Sequence, residues 1–103
     1  MTVEELRKFR QSRRIYLRQG IGAFEAEAWA EYQSMLSAFE VWLSTEVDED
    51  IREVVRLYFS RTMPDWAVAM RTFYSERQVR RIRARLYASL RSAENTSNFA
   101  LRS

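Results

Sequence analysis

Apolar residues recur along most of the chain at three- and four-residue steps, the spacing that places side chains on one face of an α-helix. Val3, Leu6, Phe9, Tyr16 and Leu17 form a first stripe, interrupted by Arg10 and Arg13. Thr2-Val3-Glu4-Glu5 has the spacing of a capping box, in which the Thr2 hydroxyl accepts from the Glu5 amide and Glu5 reaches back. A helix is therefore predicted from Val3 to about Gln19, where Gly20 and Gly22 stop it. From Ala23 to about Glu46, Phe24, Ala28, Tyr32, Met35, Phe39 and Trp42 make one row and Trp29, Leu36 and Leu43 a second. The combined face is wider than a coiled-coil seam, so this helix belongs either in the centre of the core or against a second chain. Ordinary core is the preferred reading, and a homodimer through the 23–46 helix is the alternative.

Val47-Asp48-Glu49-Asp50 breaks the pattern, with Asp48 or Asp50 a suitable N-cap and the acids favourably placed at the positive end of the next helix dipole. Ile51, Val54, Val55, Tyr58 and Phe59 carry that helix, which should end near Arg61 to Met63 because Pro64 disfavours helical geometry in the residue before it. Pro64 suits the first turn of a new helix bearing Trp66, Val68, Ala69 and Met70, with room for about two turns before Thr72-Phe73-Tyr74. Ser75-Glu76-Arg77-Gln78 is a second capping box, and a helix should run from it to roughly Arg91. The prediction is an all-α fold of about five helices. Residues 1–47 form a helical N-terminal region, 48–91 a three-helix unit on which the long N-terminal helices pack, and 92–103 a flexible tail.

Composition narrows the chemistry. A chain of 103 residues that is 47% hydrophobic supports one compact domain. Cysteine and histidine are both absent, which removes disulfides, thiolate metal sites and the commonest metal ligand and general base. Glu25, Glu27 and Glu31 have no nucleophile or phosphate loop to work with, so no enzymatic reaction, metal or cofactor is expected. No apolar run approaches a membrane span and no signal-peptide core follows the start, which predicts a cytoplasmic protein with no membrane partner.

Charge is what gives the pattern a direction. Residues 1–18 carry six basic and two acidic groups, residues 19–51 eight acids and no Lys or Arg, and residues 52–103 eleven arginines against four acids. A partner responds to such local patches more than to the net +3. Every basic residue except Lys8 is arginine, the side chain suited to bidentate contacts with phosphates and base edges. At 100° per residue, Val79, Ile82, Leu86 and Leu90 share one side of the last helix, and Arg77, Arg81, Ala84 and Ala88 the other, flanked by Gln78 and Arg80.

A helix, a break at proline, a short helix, a three-residue turn and a longer basic helix make the layout of a helix-turn-helix unit, whose second helix enters the DNA major groove. Val68 and Ala69, a hydrophobic residue in the turn, and Val79 and Ile82 are what two short helices need to pack closely at a steep angle. Trp66, Val68-Ala69, Tyr74-Ser75 and Val79-Arg80-Arg81-Ile82 follow one another without a gap in a pattern that resembles the helix-turn-helix of sigma-factor region 4, and more closely that of ArpU-type phage regulators. The resemblance covers about residues 48–91. Ala67 stands where that family often has glutamate, and Phe73 where many such turns carry glycine, which argues against a left-handed turn residue there.

The resemblance implies transcription-linked, sequence-specific binding of double-stranded DNA in a bacterial host or phage-infected cell, with Glu76, Arg77 and Arg81 facing bases. Arg77 and Arg81 are assigned to guanine O6 and N7 and Glu76 to a cytosine amino group. Arg71, Tyr74, Arg80 and Arg85 are assigned to phosphates, where they position without specifying. Arg83 lies nearer the packed side and is expected to snorkel or pair with acids of the preceding helices. RNA polymerase is a further candidate contact. Two alternatives remain open: a DNA-packaging protein of the small terminase kind, and a protein-interaction or inhibitor module that presents the acidic segment.

Overall fold

Reciprocal capping fixes two helix starts where the sequence places them. In the computed structural model, which describes the backbone of residues 1–102 and the side chains of residues 1–94, Glu5 N–H donates to Thr2 Oγ1 and Thr2 N–H to Glu5 Oε1, both at 3.0 Å. Ser75 N–H donates to Gln78 Oε1 at 2.7 Å and Gln78 N–H to Ser75 Oγ at 3.2 Å. The described residues form helices only: α1 (Val3–Gln19), α2 (Ala26–Glu46), α3 (Glu49–Val55), α4 (Asp65–Arg71) and α5 (Glu76–Arg102). None of them is long and apolar enough to cross a membrane.

Three boundaries differ from expectation. Gly20, at φ 73°, ends α1, but Ile21–Ala23 forms a single 3₁₀ turn and Phe24 and Glu25 are extended, so α2 begins at Ala26 and not at Ala23. Aromatic packing accounts for the offset: extended backbone brings the Phe24 ring to 5.3 Å from Tyr32 and 5.7 Å from Trp29, and Tyr16 of α1 stacks on the same Tyr32 at 5.4 Å. Pro64 is the residue before α4, at ψ 163°, and not within its first turn. The last helix continues past Arg91 to Arg102, since no glycine or proline follows Arg91 to stop it; the final residue of the expected 92–103 tail, Ser103, lies outside the described residues.

Two apolar clusters share the interior. Leu6 and Phe9 of α1, Phe39, Trp42 and Leu43 of α2, Val47, Val55 of α3 and Phe59 form the larger one, against which Leu86, Tyr87 and Leu90 of α5 pack. Val54, Leu57, Val68 and Val79 form the smaller one beneath α4 and the start of α5. Tyr58 touches both and joins the N-terminal helices to the C-terminal unit. Tyr32, Phe39, Trp42 and Leu43 of the wide apolar face of α2 are buried in the core, with Phe39 stacked on Phe9 at 4.5 Å, while Trp29, Met35 and Leu36 are half-buried.

Arginines, not glycines, finish two of the helices. After Val55 the chain widens into a π-type turn, Arg56–Ser60, and Thr62 takes a left-handed conformation at φ 55°. The carbonyls left over there are met from α1. Arg10 Nε donates to Tyr58 O at 2.9 Å, and its Nη2 to Met63 O at 3.3 Å and Thr62 O at 3.4 Å. Arg13 donates to Ser60 O and to the Tyr32 hydroxyl, both at 2.8 Å. Arg52 does the same for the end of α2, donating to Leu43 O, Ser44 O and Val47 O. Cations at a helix C-terminus meet both the free carbonyls and the negative end of the dipole. The two arginines that interrupt the apolar stripe of α1 are therefore structural. Arg10→Ala should lower stability by about 2–3 kcal/mol, since it strands partly buried carbonyls, and Arg10→Lys should recover little because an ammonium lacks the planar fork; urea denaturation of the three proteins measures both.

Candidate nucleic-acid interface

The unit most suited to a nucleic acid is α4, the turn after it, and α5. Val68 and Val79 are fully buried where the two helices meet, with Ala69, Tyr74 and Ile82 packed beside them on Val54 and Leu57. The turn is closed by side chains: Thr72 Oγ1 donates to Val68 O at 3.0 Å and accepts from Tyr74 N–H at 3.4 Å. Thr72 is extended, and among the described non-glycine residues only Thr62 has positive φ, so the turn forms without a glycine and Phe73 is unstrained. Its ring does not serve as the turn's hydrophobic plug. Tyr74 does that, while Phe73 is fully exposed at 108%.

The outward face of α5 is as the periodicity predicts. Arg77, Arg81, Ala84 and Ala88 are exposed, and Val79, Ile82, Leu86 and Leu90 point inward. Among the described residues neither Arg77 nor Arg81 has a carboxylate partner, and the same holds for Arg71 in the last turn of α4. Glu76 and Arg80 do pair, at 2.9 Å across one helical turn with both side chains half exposed. Such a pair contributes about 0.5 kcal/mol and opens readily, so it hinders neither residue in meeting another partner.

Two of the seven assigned positions sit differently. The Tyr74 hydroxyl donates to Asp50 O at 3.1 Å, at the start of α3. Its proton is engaged there, so the hydroxyl clasps the turn to α3. Arg85 is exposed but borders a groove that also holds Glu46, Asp48 and Asp50, so any phosphate it met would face three carboxylates.

Arg83 turns inward, as expected, and pairs with Asp65 at the start of α4 through both terminal guanidinium nitrogens, Nη1 and Nη2. Burial on its own would lower the Arg83 pKa, but the Asp65 hydrogen bond and the charges around it outweigh burial and hold it above the ordinary value. Its guanidinium lies 4.1 Å from the Tyr58 ring centre, and Arg10 lies over the same ring at 4.0 Å. One turn on from Arg83, Tyr87 is half-buried, and burial pushes its phenol above the ordinary 10.0; the nearby Tyr58 adds to this, and the Arg83 and Arg7 guanidiniums oppose it without cancelling it. Sequence reasoning missed the neighbourhood these residues create. A cleft of about 470 Å³ lies between α1 and α5, bordered by Arg7, Arg10, Gln11, Arg14, Arg83 and Tyr87. The helical spacing of Arg7, Gln11 and Arg14 was a legible sign of a common face.

The Tyr87 environment has a measurable consequence. The folded chain holds the phenol proton beyond the pH at which the unfolded chain releases it, so stability is complete below about pH 10 and falls as pH rises through the folded pKa. Urea midpoints measured from pH 8 to 11 should therefore fall more steeply for the wild type than for Tyr87→Phe, which has no proton to lose. No family model, curated protein or solved structure matches the chain.

Proposed function

We propose that the chain is a sequence-specific, non-enzymatic DNA-binding protein that places the first turns of α5 in the major groove, and that it serves a phage or prophage as a transcriptional regulator. One observation carries this reading. Arg77 and Arg81 stand exposed and, among the described residues, without carboxylate partners on the outer face of a helix whose opposite face is fixed by the short α4. Long donors held at the N-terminal end of a rigid helix, followed by Ala84 and Ala88, match the needs of a helix that reaches base edges at one end and lies close to the groove at the other. The regulatory role rests on the resemblance of residues 48–91 to ArpU-type regulators.

Within this reading Arg77 and Arg81 contact guanines, Glu76 takes a cytosine amino group once its pair with Arg80 opens, and Arg71 and Arg80 hold phosphates. Binding should weaken steeply with salt through counterion release. Fluorescence anisotropy on a preferred duplex and on a scrambled one checks the roles. Arg77→Ala with Arg81→Ala should cost at least tenfold on the preferred duplex and narrow the gap between the two, since each bidentate base contact is worth about 1–3 kcal/mol. Arg71→Ala should weaken both duplexes alike and reduce the slope of log K against log salt by about 1. Unchanged affinity and unchanged preference in the double variant would remove α5 as the reading helix.

A further inference from the structure

The arginines of α1 other than Arg10 and Arg13 form a surface of their own, with Arg7 also lying over the Tyr87 ring at 5.5 Å. Arg7, Gln11, Arg14 and Arg18 recur at steps of four, three and four residues and are all exposed, so they run along one edge of α1. Between Arg7 and Arg18 the helix rises about 16 Å. Arg14 and Arg18 have no carboxylate partner among the described residues, and Arg7 has only the exposed Glu4 at 3.3 Å. Such an exposed pair gives way easily. The edge borders the cleft with α5, whose lining holds four guanidiniums and no carboxylate.

The placement of that cleft relative to the outward face of α5 is asymmetric. It meets α5 at Arg83 and Tyr87, and at 100° per residue the next positions outward from that edge are Arg80, Arg91 and Ala84. Positive charge therefore continues from the outer face of α5 across the cleft to α1, although the same edge also carries Glu94 and Glu76, the latter paired with Arg80. On the opposite flank of α5 lies the groove with Glu46, Asp48 and Asp50. A duplex whose groove holds α5 has a phosphate strand on each side of it, one facing arginines and the other facing acids.

We infer that Arg7, Arg14 and Arg18 form a second phosphate-binding track, which takes the DNA strand on the α1 side of the groove and tilts the duplex toward α1. This rests on the DNA-binding reading above, and it gives the N-terminal region a direct part in binding. Phosphate contacts carry affinity and salt dependence without sequence information. The signature of the track is thus opposite to that of Arg77 and Arg81.

The test compares full-length wild type, the triple variant Arg7→Ala/Arg14→Ala/Arg18→Ala, the matching triple lysine variant, and Lys8→Ala. Lys8 lies on the same helix but points to Glu31 of α2. Affinity for the preferred and scrambled duplexes is measured across a salt series. The alanine triple should lower the magnitude of the slope of log K against log salt by about 2–3, at about 0.9 per phosphate contact, and weaken both duplexes by the same factor. The lysine triple should keep the slope, which shows charge and not folding to be at work, and Lys8→Ala should match wild type. If wild type binds but the alanine triple keeps its affinity and slope, or Lys8→Ala loses as much per charge, the track is wrong and the reading helix stands. If wild type binds no duplex even at low salt, the DNA reading itself falls and the track with it.

Discussion

The stranded carbonyls at the end of α3 are the constraint around which the rest of the molecule is arranged. A π-type turn followed by a left-handed Thr62 leaves Tyr58, Ser60, Thr62 and Met63 with carbonyls that the helix itself does not satisfy. A partly buried carbonyl without a donor costs about 1–3 kcal/mol. Arg10 and Arg13 supply the donors from α1, and in doing so hold α1 across the end of α3. That crossing brings Leu6 and Phe9 onto Phe39 and Phe59, and it leaves the Tyr58 ring beneath the guanidiniums of Arg10 and Arg83. Since Arg83 belongs to α5 and is anchored to Asp65 of α4, the same ring ties the helix proposed to read DNA to the N-terminal region.

Arginine consequently does two different jobs in this chain, and burial separates them. Arg10, Arg13, Arg52 and Arg83 are turned into the fold, where their forks match backbone carbonyls or a carboxylate. Arg71, Arg77 and Arg81 on one side, and Arg14 and Arg18 on another, stay in solvent with no acid to neutralise them among the described residues. The acids concentrate on α2 and the corner before α3, so the positive surface keeps its sign instead of being averaged away.

Features set by neighbours in sequence were legible from it. Both capping boxes, the break between α3 and α4, the two-turn α4 and the inward row of Val79, Ile82, Leu86 and Leu90 depend on residues within a few positions of each other, and all form as read, although Pro64 precedes α4 instead of opening it. Features set by distant partners were not. Arg10 and Arg13 looked like flaws in an apolar stripe because the carbonyls they meet lie 47 to 53 residues away. The start of α2 depends on an aromatic cluster drawn from two helices, and the Tyr74 hydroxyl is held by a carbonyl 24 residues back. For the candidate site, the face bearing Arg77 and Arg81 was visible from helical periodicity, whereas the acids beside Arg85 and the arginines across the cleft required the packing of α5 between two other elements.

In the proposed function, Arg77 and Arg81, which have no carboxylate partner among the described residues, recognise a base sequence and not only charge. Selection from a randomised duplex pool at physiological salt tests that most directly. The account predicts enrichment of a short motif with guanines at fixed spacing, lost when Arg77 and Arg81 are both alanine. Recovery of duplexes without any common sequence, or of none at all, would contradict it.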